Sequence, residues 1–491
     1  MSVLTEVQKD YGKLKLLIGG EWVDSDASRI ELAMNPAKDE AIAQVPYVVK
    51  EEVDRAVEAA QNAFDRWRNL PVPTRIQYVY RLKSAIEENV EDLARITTQN
   101  HGKIIDESRG EMRRLVENVE TACAIAYTKA KGEHMDQIAA GIDTTLIREP
   151  LGVFAIIGPF NFPSMAPFWF IPYALALGCT VVAKPSEVCP LPLQWTLKVA
   201  EKVGIPPGVI NLVHGNREVS GALISHPDIK GVAFVGSTAV GRQVYKFAGE
   251  HGKRAIVQAG AKNFVVVMPD ADLDMCIRAL MPSFYGNTGQ RCLSGSNLVA
   301  VGEVYEDLKS RFLQASSKLR LGYGLDERVE MGPVVTRKSR ERIFDHIEKG
   351  TREGARLILD GRNAKVEGYP NGYFVGATVF DNVTTDMKIA NEEIFGPVAS
   401  IIRAEKLDEA IEMINRSRYG NATCIFTSSG KAAREFRTRV KAGNVGINLG
   451  IPAPMAFFPF GGWKDSFFGV LHGQIDCVDF FTDKKIVMSR W

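Results

Sequence analysis

The chain has 491 residues, more than one hydrophobic core accommodates, so two or three domains are expected. Hydrophobic residues make up 45% and charged residues 24%, the balance of an ordinary soluble globular protein. With 60 basic against 59 acidic residues and no run of five like charges, the composition argues against nucleic-acid and membrane partners.

Residues 1–15 mix charges and lack an apolar stretch, so no signal peptide is expected there. Over 51–66, Val53, Ala56, Val57, Ala60, Ala63 and Phe64 recur at helical spacing and predict an amphipathic helix. A second helical pattern runs over 74–99 and a third over 109–128. From Leu151 the rhythm changes. Short apolar runs at 152–157, 179–183, 209–213, 231–235 and 255–258 alternate with helix-length segments, which predicts parallel strands buried on both faces. The apolar run 168–183, about 16 residues broken by Pro172 and Gly178, is too short for a bilayer span and reads as a buried helix turning into a strand. The alternation restarts after Ala259, with runs at 264–267, 297–301, 398–402, 423–426 and 444–448 between helices such as 303–320 and 407–415. Two segments, 144–147 and 478–488, read as strands belonging to neither half.

The expected fold class is α/β, with two doubly wound domains and a small β element. The boundaries expected are 1–130 with 150–258 for a Rossmann-like cofactor domain, 259–465 for a catalytic domain, and 131–149 with 466–491 for the β element. The seven cysteines show no CxxC pair and no metal-ligand spacing, and their odd number fits free thiols in a reducing, cytoplasmic compartment. No metal is expected.

Cys292 stands out among them. It follows Arg291 in the glycine-flanked stretch 286–292, and a fixed cation beside a thiol is expected to lower its pKa. Three loops at strand ends add to it. Gly236–Ser237 open a helix, where free N–H groups favour a phosphate, although a plain tight turn needs the same glycine. Lys184 and Glu187 offer a cation and an acceptor suited to ribose hydroxyls, and the acidic group favours NAD over NADP. Asn161, between Pro159 and Pro163, is either a turn asparagine bonding its own backbone or an oxyanion donor.

The segments NFP at 161–163, KPSE at 184–187, FVGSTAVG at 234–241, GQRC at 289–292 and NEEIFGP at 391–397, in this order, resemble the aldehyde dehydrogenase superfamily. The resemblance extends from IGGEWV at 18–23 to the closing strand. It implies that Cys292 is the nucleophile, and that Asn161 and the Cys292 N–H form an oxyanion hole. It further implies that Lys184 and Glu187 hold the adenosine ribose, Gly236 and Ser237 the phosphates, and Glu393 and Phe395 the nicotinamide ribose. Ile157, Pro159, Phe160, Ser186, Phe234, Val240 and Gly260 complete the cofactor set, and the orphan strands match the family's oligomerisation element, hence a homo-oligomer, tetramer or dimer. GQRC, GAKN at 260–263, PDAD at 269–272 and IPAP at 451–454 make the chain most similar to the methylmalonate-semialdehyde dehydrogenase branch, whose acyl acceptor is coenzyme A.

One position departs from the superfamily. Where most members carry a glutamate that activates water, this chain has Gln258, whose amide takes no proton from water at neutral pH. The expectation is an acyl-enzyme that waits for a better nucleophile, a thiol. Arg291 and Arg114 are candidates for a substrate carboxylate clamp, with Phe162 on the apolar wall. Arg114 equally fits a solvated helix face, and Arg291 a loop stabiliser. A hydrolytic, broad-specificity dehydrogenase and a non-catalytic structural member are the alternatives.

Overall fold

The computed structural model describes residues 3–470 and 472–491. Its centre is an eight-stranded sheet in the order Glu21–Val23, Leu16–Ile18, Ile210–Leu212, Thr180–Lys184, Val153–Ile157, Ile229–Val235, Arg254–Gln258, Phe467–Phe468. The middle five strands are parallel and the edge strands antiparallel. Side chains alternate between two cores as the strand period of two requires. Val153, Ala155 and Ile157 pack under Val53, Ala56, Val57 and Ala60 of the helix Lys50–Arg68, while Phe154 and Ile156 face the opposite layer with Ile76, Val79 and Leu115. Numbered along the chain from Val153–Ile157, the parallel strands run 3-2-1-4-5. The order therefore reverses between Val153–Ile157 and Ile229–Val235, where an open α/β sheet forms its ligand crevice.

A second sheet of seven strands runs Arg356–Leu359, Thr378–Asp381, Val398–Ala404, Gly295–Val301, Asn263–Val267, Ala422–Phe426, Asn444–Ile447. All its pairings are parallel except that of the Arg356–Leu359 edge. Val265 and Val267 face one core, and Phe264 and Val266 the other. The mixed α/β class expected from the apolar runs is the class observed.

Three differences have local causes. The helical pattern over 74–99 is two helices, Val72–Glu87 and Val90–His101. Asn89 sits between them, its side chain donating to the Ala85 carbonyl at 2.7 Å in competition with the helical ladder. The strand expected over 478–488 is a short helix, Cys477–Phe481, followed by the strand Thr482–Arg490. Consecutive Phe480 and Phe481 are both buried edge-on to Phe154, which a strand with alternating faces does not allow. The segment expected around 144–147 is Ile142–Pro150, paired along its length with Thr482–Arg490, and a third strand, Glu133–Ala139, joins it. Every residue of that third strand is exposed, so no apolar alternation marked it. Within 466–491, Phe467–Phe468 belongs to the edge of the first sheet and not to this small sheet.

Candidate active site

Both strands at the reversal point end in a loop that walls one cavity of about 890 Å³, within the range of ligand sites. The first loop carries Ile157, Pro159, Phe160, Asn161 and Phe162. The second carries Gly236 and Ser237, with Val240 one turn into the helix Thr238–Glu250. Ser237 is the extended N-cap residue and its hydroxyl makes no capping bond, so the first N–H groups of the helix remain free donors. Phe234, Lys184, Ser186 and Glu187 line the same cavity. Lys184 is buried, and its Nζ donates to the carbonyls of Pro185 at 2.9 Å and Gly215 at 2.6 Å. Its third donor direction lies 3.6 Å from the Glu187 carboxylate, which is 38% exposed. A cation beside a partly exposed carboxylate, next to a helix N-terminus, is the donor set a dinucleotide requires.

At the far side stand Gly260, Glu393, Phe395 and Cys292. Glu393 Oε1 accepts the Ala261 N–H at 2.8 Å, and burial raises its carboxyl to about 7. Gly260 gives Glu393 room, because a Cβ there would lie 2.4 Å from Glu393 Oε2 and displace that carboxylate. Phe395 has φ 54° and packs edge-on to Phe160, with ring centroids 5.7 Å apart.

Cys292 follows a loop that is strained and firmly held. Asn287, Thr288 and Gly289 all lie in the left-handed region, with φ of 54°, 54° and 69°. That conformation is rare for a β-branched residue such as Thr288. Asn287 N–H donates to Glu107 Oε1 at 2.5 Å, and the Asn287 amide donates to the carbonyls of Asn161 at 3.1 Å and Gln290 at 3.0 Å. Thr288 Oγ1 donates to the Gly332 carbonyl at 3.0 Å. At Gly289 a Cβ would lie 2.2 Å from the Gly396 carbonyl oxygen. The Cys292 carbonyl accepts from the amides of Asn263 at 2.8 Å and Asn421 at 3.1 Å.

The Cys292 thiol does not behave as expected from its neighbour. Partial burial and then the Glu393 carboxylate push it up to about 11, and Arg291 pulls down by less than these raise. The expected lowering by the adjacent cation is therefore overturned by desolvation.

Of the candidates named from sequence, the cofactor set, Cys292, Asn161 and Phe162 all line the cavity. Gln258, Arg291 and Arg114 do not. Gln258 ends the strand Arg254–Gln258; its Nε2 donates to the Phe460 carbonyl at 2.9 Å, and its buried Oε1 has no partner among the described residues. Arg291 is 17% exposed, with its guanidinium 5.6 Å from the Phe162 ring centroid and 4.0 Å from Glu107. Arg114 pairs with Glu117 at 2.7 Å and reaches Met455 Sδ at 2.5 Å. Sequence reading missed Arg342, which lines the cavity and whose charge acts on Glu393, together with Lys103, Glu107 and Asn421 and the hold of Asn263 on the Cys292 carbonyl, each on an element remote in sequence from the residue it serves.

A family model, the aldehyde dehydrogenase family, matches residues 22–487. The chain belongs to the aldehyde dehydrogenase family. It is 46% identical over 480 residues to malonate-semialdehyde dehydrogenase 2 of Geobacillus kaustophilus, covering 97% of this chain and 99% of that one. This aldehyde dehydrogenase matches the methylmalonate-semialdehyde dehydrogenase structure from Oceanimonas doudoroffii with a TM-score of 0.96 at 40% identity, over 98% of both chains. It matches the NAD⁺ complex of a Bacillus cereus aldehyde dehydrogenase with a TM-score of 0.93 at 33% identity, over 97% of this chain and 96% of that one. The protein is thus an oxidoreductase acting on aldehydes. No helix among the described residues is long and apolar enough to cross a membrane.

Proposed function

We propose that this dehydrogenase oxidises a semialdehyde carrying a carboxylate β to the reacting carbonyl, of the malonate-semialdehyde class, with NAD as cofactor and coenzyme A as acyl acceptor. The observation that carries the acceptor assignment is Gln258, an amide with a free buried oxygen where a water-activating carboxylate would stand. The relatives named as acting on malonate semialdehyde support the substrate class.

In this reading Gly236 and Ser237 offer N–H donors to the cofactor phosphates. Lys184 and Glu187 pair with a ribose, and Glu393 and Phe395 hold the second ribose. Ile157, Pro159, Phe160, Ser186, Phe234, Val240 and Gly260 form the cofactor wall. The bound nicotinamide supplies the hydride acceptor.

Cys292 Sγ, once deprotonated, adds to the aldehyde carbon, and the oxygen takes up negative charge facing the Asn161 amide and the Cys292 N–H. A preorganised donor of this kind is worth about 3 kcal/mol. Phe162 walls the substrate, and Arg291, outside the cavity with its guanidinium 5.6 Å from that ring, is the cation that has to turn toward the site to meet the substrate carboxylate, while Arg114 stays with Glu117. Oxidation leaves an acyl thioester on Sγ. The β-carboxylate leaves as carbon dioxide, its electron pair passing to the α-carbon, which takes a proton. A coenzyme A thiolate then attacks the acyl carbon; the new C–S bond forms as the bond to Cys292 breaks, returning its thiolate. No base has to be supplied at position 258 for that exchange.

The small sheet of Glu133–Ala139, Ile142–Pro150 and Thr482–Arg490 exposes Met135, Ile138, Ile486 and Met488, apolar groups suited to self-association as a dimer or tetramer. The activity test follows reduced cofactor and thioester from malonate semialdehydes with and without coenzyme A. Thioester formed only with coenzyme A supports the reading; free acid formed at the same rate without it overturns it in favour of hydrolysis.

A further inference from the structure

The most thoroughly buried charges beside the site belong to neither cofactor nor nucleophile. Lys103 follows Gly102, which ends the helix Val90–His101, and Glu111 lies on the helix Ile105–Thr128. Both side chains are fully buried, with Lys103 Nζ 2.7 Å from Glu111 Oε2. A buried ion pair is a weak source of stability, because desolvation offsets its attraction, so its use lies in the other bonds it makes.

Those bonds converge on one loop. Lys103 Nζ donates to the Asn161 carbonyl at 2.7 Å and lies 4.2 Å from the Phe162 ring centroid, so all three of its donor directions are taken. Glu111 Oε1 accepts the N–H groups of Ser164 at 3.0 Å and Met165 at 3.1 Å. The second lone pair of the Asn161 carbonyl is filled by the Asn287 amide at 3.1 Å. The peptide plane after residue 161 is thus fixed from two sides, and with it the direction in which the Asn161 side chain leaves the backbone. That side chain lines the cavity with Cys292 and makes no hydrogen bond among the described residues, so its direction is set by the backbone it leaves and by packing around it.

We propose that Lys103, with Glu111 as its counter-ion, is a positioning residue that aims the Asn161 amide at the developing oxyanion. This rests on the reading of Asn161 as oxyanion donor, and not on which nucleophile removes the acyl group. Misplacing a catalytic group by about 1 Å costs about 100-fold in rate. Lys103→Met is expected to lower kcat by about that factor with KM little changed and with alkylation of Cys292 by iodoacetamide unaffected. Placed on Asn161→Ala, the same substitution should cost less than about threefold more, since the group it aims is gone.

Lys103→Met alone leaves Glu111 buried without a partner. The double variant Lys103→Met/Glu111→Gln removes both charges while keeping an acceptor for Ser164 and Met165, and it should show the same kcat loss. An equal loss in the wild-type and Asn161→Ala backgrounds would mean a general structural role and overturn the proposal. So would an unchanged kcat in either Lys103 variant while Asn161→Ala is impaired. If Asn161→Ala itself leaves kcat intact, the oxyanion reading falls and takes the positioning role with it.

Discussion

At Gly236–Ser237 the chain leaves a strand and enters a helix with neither residue in the left-handed region, whereas Asn287, Thr288 and Gly289 all adopt it just before Cys292. The first turn is a product of topology: the strand order reverses beside it, and its free N–H groups come with the helix start. The second holds conformations that cost about 1–3 kcal/mol for each non-glycine residue, so it persists only because other groups over-determine it. Glu107, Gly332, Asn161, Asn263 and Asn421 supply those constraints. The phosphate turn is relaxed and local; the nucleophile loop is strained and held by remote parts of the chain.

Substitutions on the two sides should therefore separate binding from chemistry. Cys292→Ser should reduce dehydrogenase activity by at least about 10⁴-fold, because an unactivated hydroxyl is a far weaker nucleophile, while cofactor binding followed by fluorescence stays near wild type. A comparable loss of binding would show that the two sides are not separable. Asn161→Ala should lower kcat by about 10²–10³-fold with a small change in KM. On the relaxed side, Glu187→Ala should weaken NAD about tenfold, narrow its preference over NADP and leave kcat alone. A collapse of kcat there would contradict a purely binding role.

The smallest effect is electrostatic. With the thiol raised to about 11, the thiolate fraction, and hence the iodoacetamide rate, should climb about tenfold per pH unit between pH 7 and 10 in the cofactor-free protein. Glu393, raised to about 7, is anionic over most of that range and disfavours a second negative charge at Cys292. Glu393→Gln should lower the thiol pKa and speed alkylation severalfold at pH 8.5; a slower rate would reverse the sign of that interaction.

The same contrast decides what was legible in the sequence. Parallel strands buried on both faces leave uninterrupted apolar runs, so five strands of each sheet could be read, as could the strand-end loops carrying Asn161, Lys184 and Gly236, whereas the short strands Leu16–Ile18, Glu21–Val23, Arg356–Leu359 and Thr378–Asp381 could not. The strand Glu133–Ala139 could not, because none of its residues is buried. The supports of the nucleophile loop were equally hidden. Lys103, Glu107 and Asn421 lie in stretches that read as ordinary helix ends and loops, and only the fold brings them to residues 161 and 287–292. Thiol acidity failed for a related reason: a neighbouring arginine is visible in sequence, but the desolvation that outweighs it is not.

What removes the acyl group from Cys292 is the central claim, and a rapid-mixing measurement of reduced cofactor tests it most directly. Without coenzyme A, the absence of a carboxylate at position 258 predicts a burst of one reduced cofactor per Cys292 followed by a slow phase, and added coenzyme A should restore full turnover. Gln258→Glu should shorten that slow phase by raising hydrolysis. Steady turnover from the first cycle without coenzyme A, releasing free acid, would contradict the account.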